Sequence, residues 1–329
     1  MDNLTHSLTG LALARAGLNR FPHATLLAII AANIPDVDMA SWIQGRFQAL
    51  EIHRGYAHSL ICLPLMALLA VGITAAISRR RLPWLLAWMI ACIGVASHLL
   101  LDWCTSYGTR LLLPFSSRWF YLDIFSLVDW IVLAVLILAW AGPFLSGLVS
   151  SEIGGSRSSG KGLAIFALLL FVFYAGFRGL MHSRVMSQLE SRIYDDVLGG
   201  PAVRMAALPR AFSPFAWNAI VEGEHAYRLY QLSAFGMFDP GEGNVLYKGN
   251  WNPDFATASR TPAFRYCLYF SRFPYWQEAP GSGPEEISVV TLTDLRFGAP
   301  GESFIAVHAR IDHRGEVEST SFAGQQAKR

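Results

Sequence analysis

His98-Leu99-Leu100-Leu101-Asp102 sets an imidazole and a carboxylate four residues apart in an apolar stretch. On an α-helix, positions i and i+4 share a face, so the pair can hold one cation or bridge two. The plainer alternative is an interfacial histidine followed by a capping aspartate. Ile34-Pro35-Asp36-Val37-Asp38 is a second element. Pro35 ends a preceding helix, and Asp36 and Asp38 then point apart, one free to ligate and the other to cap. His53-Arg54-Gly55-Tyr56-Ala57-His58 is a third. Gly55 places His53 in a loop and lets His58 open the next helix, so both rings can face one site. Arg54 between them suits an anionic substrate, because guanidinium pairs bidentately with phosphate oxygens. At the N-terminus, Asp2 or Thr5 can cap a helix beginning near Ser7, with His6 in its first turn.

Five of the nine histidines fall within the first 98 residues. His6, Asp36, Asp38, His53, His58, His98 and Asp102 form a hard, oxygen-rich donor set that suits one or two divalent ions, Zn²⁺ first and Mn²⁺ as the alternative. Asp123 and Asp129 are the next acidic candidates along the chain. Ionisable groups at the edges of apolar segments are costly, which makes function their default reading.

The surrounding composition says where such a site lies. Of 329 residues, 53% are hydrophobic and 15% charged. Mean hydropathy is +0.35. This excludes a disordered chain and argues against an ordinary soluble enzyme. A net charge of +2 gives no basic field for nucleic acid. The four cysteines show neither a CxxC spacing nor a disulfide framework.

Residues 60–78, 82–101, 130–150 and 162–177 carry no charge and are read as four transmembrane helices. Residues 8–35 form an apolar helical hairpin too broken to span. Arg79-Arg80-Arg81, Arg157 and Lys161 lie in two loops that the positive-inside rule assigns to the cytoplasm. The candidate residues and the C-terminal part then share the periplasmic side of a multi-pass protein. The fold expected is mainly α, a polytopic helical membrane bundle followed by a small antiparallel β domain. Its parts are a membrane-embedded domain over 1–181, a connecting helix over 182–208, a β-rich domain over 209–319 and a disordered tail over 320–329. Strands are expected over 226–232, 263–270, 287–293 and 303–311, from β-branched and aromatic enrichment between turn clusters.

These residues carry a resemblance. MDNLTHSLTG, IPDVD, HRGYAHSL, SHLLLDWCTSYGTRLLLPF and DIFSLVDW resemble the YdjM-like family of bacterial inner-membrane metal-dependent hydrolases, named for LexA regulation. FSPFAWNAIVE, FSRFPYW and TLTDLRFG look like the C-terminal extension of its longer members. The resemblance implies a membrane-bound hydrolase. A weaker similarity of order, His…Asp…His…HxxxD, links the chain to the all-helical zinc-dependent phospholipase C and P1 nuclease superfamily. It implies as ligands His6, one of Asp36 or Asp38, one of His53 or His58, His98, and Asp102 as a bridging carboxylate. That superfamily adds a later histidine group, whereas here the next histidine is His182, so a third ion is not expected.

The function expected is metal-assisted hydrolysis of a phosphoester in an amphiphilic, lipid or lipid-linked substrate. Asp129, or whichever of Asp36 and Asp38 does not ligate, would accept a proton, and Arg54 and Arg110 would neutralise the phosphate. Membrane lipids are the implied partners. The alternative is a non-enzymatic envelope protein with a structural metal site or a cation path. Against a path, the polar residues gather at one end of the spans.

Overall fold

The computed structural model describes residues 1–152, 160–194, 196–281 and 286–323. Its helices are α1 (Asn3–Leu13), α2 (Ala24–Ala31), α3 (Arg46–Ile52), α4 (Leu63–Ser78), α5 (Trp84–Trp103), α6 (Trp130–Glu152) and α7 (Lys161–Glu190). Strands β1 (Arg204–Pro209), β2 (Ala216–Glu222), β3 (Ala226–Ser233) and β4 (Asn244–Tyr247) follow. After them come α8 (Pro253–Ser259), α9 (Pro262–Phe270), β5 (Pro274–Pro280), β6 (Glu286–Asp294), β7 (Ala306–Asp312) and β8 (Val317–Phe322). A helical part followed by a β part is thus observed. By internal contacts the chain forms two units. One comprises Met1–Ile43, Ile52–Arg184 and Leu208–Ala216; the other comprises Gln44–Glu51, Val185–Ala207 and Trp217–Arg329.

In the helical unit, Asp2 caps α1 by accepting from the Thr5 N–H at 2.9 Å. α1 and α2 pack as the expected hairpin, and α5 packs against both α2 and α4. The seams are lined with small residues: Ala28, Ala31, Ala67, Ala70, Ala87 and Ala91 are all buried. A Cβ on Gly10 would lie 2.6 Å from the Ala28 carbonyl oxygen, and one on Gly94 would lie 2.7 Å from the Ala31 Cβ. Such close approach is how apolar helices associate without a hydrophobic drive between them. Gly94→Ala should therefore force α5 off α2 and cost about 1–3 kcal/mol. Thermal unfolding of the detergent-purified protein checks this, and an unchanged midpoint would contradict the packing.

Among the described residues, α5 and α7 are long and apolar enough to cross a membrane. The number rises to four if each of two bent pairs is one span: Ala24–Ala31 with Ile34–Gln44, bent by 51°, and Arg46–His58 with Leu63–Ser78, bent by 96°. The apolar run Trp130–Phe144 of α6 is shorter. Arg157 lies outside the described residues.

The second unit holds two four-stranded sheets, ordered β1-β2-β3-β4 and β5-β6-β7-β8. Trp217, Tyr227, Phe273, Leu292 and Ile311 are among its fully buried side chains. Burial alone would push the Glu222 carboxyl up, but bonds from Lys248 and Arg204 outweigh it and hold the group below its usual range. The strand expected over 263–270 is a helix. Pro262 fits the first turn of α9, and Ala263, Phe264, Cys267 and Phe270 fall on one buried face at helical spacing, which overrides the aromatic β preference. β8 runs to Phe322, and residues 324–329 of the expected tail lie outside the described residues.

Candidate metal centre

Three local structures deliver the polar side chains. Pro35 sits in the 3-10 stretch Ile34–Gln44, which carries Asp36 and Asp38. His58 closes the short 3-10 turn Tyr56–His58 ahead of α4. His98 and Asp102 lie one turn apart near the C-terminal end of α5, both fully buried.

Four donor atoms converge. The His98 and His58 Nε2 atoms are 3.2 Å apart. His58 Nε2 is 3.4 Å from Asp36 Oδ1 and 3.3 Å from Asp102 Oδ2. His98 Nε2 is 3.6 Å from Asp36 Oδ1 and 3.4 Å from Asp102 Oδ2. A tetrahedron around zinc, with bonds near 2.0–2.1 Å, has edges of about 3.3 Å. Asp36, His58, His98 and Asp102 thus form a group that could hold a metal ion.

The surroundings prepare these donors. His98 Nδ1 donates to the Ala32 carbonyl at 2.8 Å, which fixes the proton there and turns the Nε2 lone pair inward. His58 Nδ1 faces Asp38 Oδ2 at 3.1 Å. Asp38 also accepts the Arg54 backbone N–H at 3.0 Å and holds His53 Nδ1 at 2.8 Å. Asp102 Oδ2 is buried with no hydrogen-bond partner, as are both ring nitrogens of His6. An unsatisfied buried carboxylate oxygen is costly, and a cation at the convergence point satisfies it. His6 stacks on His98 with centroids 3.8 Å apart, and its Nε2 is 3.5 Å from Asp102 Oδ1.

All seven residues expected as ligands are therefore brought into one cluster. Asp38, His53 and His58 form a second group of metal-ligand type. It shares His58 with the first, and both oxygens of Asp38 already face N–H groups.

The expected catalytic residues are placed differently. Arg54 is buried and donates to Asp102 Oδ1 at 2.8 Å, Thr105 Oγ1 at 3.2 Å and the Gly108 carbonyl at 3.0 Å, so it braces a carboxylate and is not turned toward a substrate. Arg110 donates to the Arg54 and His53 carbonyls at 3.3 and 3.4 Å and lies over the Trp119 ring, which fastens the loop between them. Asp129 caps α6, accepting from Ile131 and Val132 N–H at 3.2 Å, beside Tyr174 and Arg178. Arg178 in turn bonds the carbonyls of Ile124, Ser213 and Pro214. None of these described partners of Asp129 belongs to the cluster.

Sequence reading missed the supports. Thr105, Gly108 and Tyr107, whose ring lies 4.6 Å from the Arg54 guanidinium carbon, all follow Asp102 closely. The hydroxyl at i+3 from Asp102 was the available signal. The Met1 amino group also contacts Asp102 Oδ1.

Comparison with known proteins places this site in a family. The family described as YdjM inner membrane protein matches residues 1–185, which hold every residue of the cluster. The chain belongs to the YdjM inner membrane protein family. YfhP, an uncharacterized protein of Bacillus subtilis (strain 168), is similar to it at 26% identity, across 97% of this chain and 94% of that protein. No solved structure matches. This YdjM family member is thus a membrane protein whose matched region carries a buried His/Asp group of metal-binding type.

Proposed function

We propose that this protein is a membrane-bound metal-dependent hydrolase of phosphoester bonds in a lipid or lipid-linked substrate. The observation that carries the reading is the convergence of donor atoms from Asp36, His58, His98 and Asp102, among them the unsatisfied Asp102 Oδ2. Three donors drawn from these four would hold one divalent ion, zinc by the donor chemistry, and leave a position for water. Such an ion supplies an acidified water and a polarised phosphoryl oxygen. One ion is favoured over two, because the second group would need both nitrogens of His58 and the occupied oxygens of Asp38.

The chain's own residues divide the remaining work. Asp38 orients His58 and holds the His53–Arg54 loop. Arg54 pairs with Asp102 and fixes its carboxylate in place. The expected proton acceptor was Asp129 or the non-ligating member of Asp36 and Asp38; Asp129 is engaged in capping, and Asp38 faces His53, His58 and the Arg54 N–H. His6, expected as a ligand, stacks on His98 beside the cage. Asp36 is 9% exposed while His58 and His98 are fully buried, so substrate would approach from its side.

Exposed apolar side chains on α4 and α7, among them Leu65 and Phe173, support a bilayer setting and a lipid-like substrate. Arg79-Arg80-Arg81 lies in the short connection after α4, at the opposite end of α4 and α5 from His58 and His98. That arrangement supports a multi-pass inner-membrane protein with the cage and the C-terminal part on the periplasmic side.

The test is elemental analysis of detergent-purified protein, paired with hydrolysis of bis(p-nitrophenyl) phosphate and of phospholipid vesicles. About one zinc per chain and metal-dependent turnover are expected. Metal without turnover on either substrate would favour a structural site and remove the hydrolase reading. Asp38→Asn should keep the fold and weaken metal affinity about 10–100-fold, as loss of an orienting carboxylate does. Competition with a chromogenic chelator measures this, and an unchanged affinity would deny Asp38 its orienting role.

A further inference from the structure

A second concave site lies within the β unit. It is a cleft of about 360 Å³, within the size range of small-molecule sites. Tyr247, Asn250, Asn252, Trp276, Gln277 and Glu278 line it. Tyr247 belongs to β4, and the last three belong to β5, each an edge strand of its sheet.

The cleft has a fixed base and a chemically mixed wall. Trp276 packs on Phe255 and Phe264, with centroids 5.1 and 5.6 Å apart, so its ring is held in place. Trp251 meets Trp276 edge-on at 5.4 Å. Tyr247 and Trp251 are 64% and 63% exposed, large planar surfaces left to water. Asn252 accepts from the Phe255 N–H at 2.8 Å and donates to Glu278 Oε2 at 2.6 Å, which fixes the carboxylate at the rim. The side-chain amides of Asn250 and Gln277 make no hydrogen bond among the described residues.

The chemistry selects the ligand. Among the described residues no lysine or arginine lines the cleft, so it offers no cation to a phosphate, a nucleotide or an anionic lipid. Trp251, Phe255 and Trp276 pack on one another, which fixes that side of the cleft. Exposed aromatic faces next to amides and one carboxylate match a molecule with C–H faces and many hydroxyls. Its C–H bonds lie on the negative ring faces, and its hydroxyls both donate to and accept from the amides. We infer that this cleft binds a neutral saccharide.

The test is isothermal titration of the full chain with chitotriose and cellotriose. It uses a polyoxyethylene detergent, because a maltoside headgroup would itself compete. Saturable binding of at least one trimer is expected. Tyr247→Ala and Gln277→Ala should each weaken it about tenfold without changing bound metal. Three results would overturn the inference: no saturable binding of either trimer up to about 10 mM, unchanged affinity in both variants, or binding of choline chloride in place of the trimers. The cage reading stands or falls separately, because metal content is measured on the same samples.

Discussion

His98→Ala is expected to leave the purified protein without bound metal and without phosphodiester hydrolysis. His98 Nε2 faces His58 Nε2, Asp36 Oδ1 and Asp102 Oδ2 within 3.2–3.6 Å, so its loss removes one donor from the convergence. It also frees the Ala32 carbonyl that fixed the ring. Turnover should fall by about 10³-fold or more, the loss of about 4 kcal/mol of transition-state stabilisation. Zinc after dialysis should drop below about a tenth of an equivalent. Circular dichroism separates this from unfolding. A folded variant that kept its metal in full would refute the assignment of His98 as a ligand.

Asp102→Ala should be the most destabilising single change in the helical unit, even in metal-free protein. Asp102 is fully buried and faces Arg54, itself 4% exposed, at 2.8 Å. Removing the carboxylate leaves the guanidinium in a low-dielectric interior with no counter-charge, a cost of about 3–5 kcal/mol. Arg54→Met placed on top of Asp102→Ala should recover part of that loss, because the stranded charge is then gone. Thermal unfolding in the presence of chelator measures all three proteins. Equal midpoints for wild type and Asp102→Ala would show that the pair does not matter to stability.

The His/Asp cluster was legible because histidine and aspartate are costly inside apolar sequence, so each stands out where it occurs. Its partition was not. The spacing left Asp36 and Asp38 equivalent; only the fold shows Asp36 Oδ1 at the convergence point and Asp38 behind His58 and His53. Arg54, Arg110 and Asp129 were read as acting on substrate, and the partners the fold gives them could not be read from sequence, for a common reason. A charged residue near a site is equally able to bind substrate or to satisfy a carboxylate, a carbonyl or a helix end, and sequence holds no sign of which backbone group is nearby. The long apolar helices were visible from hydropathy. In the β unit, β3, β6 and most of β7 were visible from β-branched and aromatic enrichment between turn clusters, whereas α9 was hidden behind aromatic residues that suit either state. Residues 44–51 group by contact with a part of the chain far away in sequence, through Phe47 against Tyr266 and Phe322, and no local pattern reveals that.

The alanine and glycine seams between α1, α2 and α5 have a consequence for how an ion would be captured. Helices that meet main chain to main chain have few rotamers to freeze, so the frame bearing His6, His98 and Asp102 is already ordered before anything binds. Little conformational entropy remains to be surrendered on uptake, and affinity is set by donor chemistry more than by any closing motion.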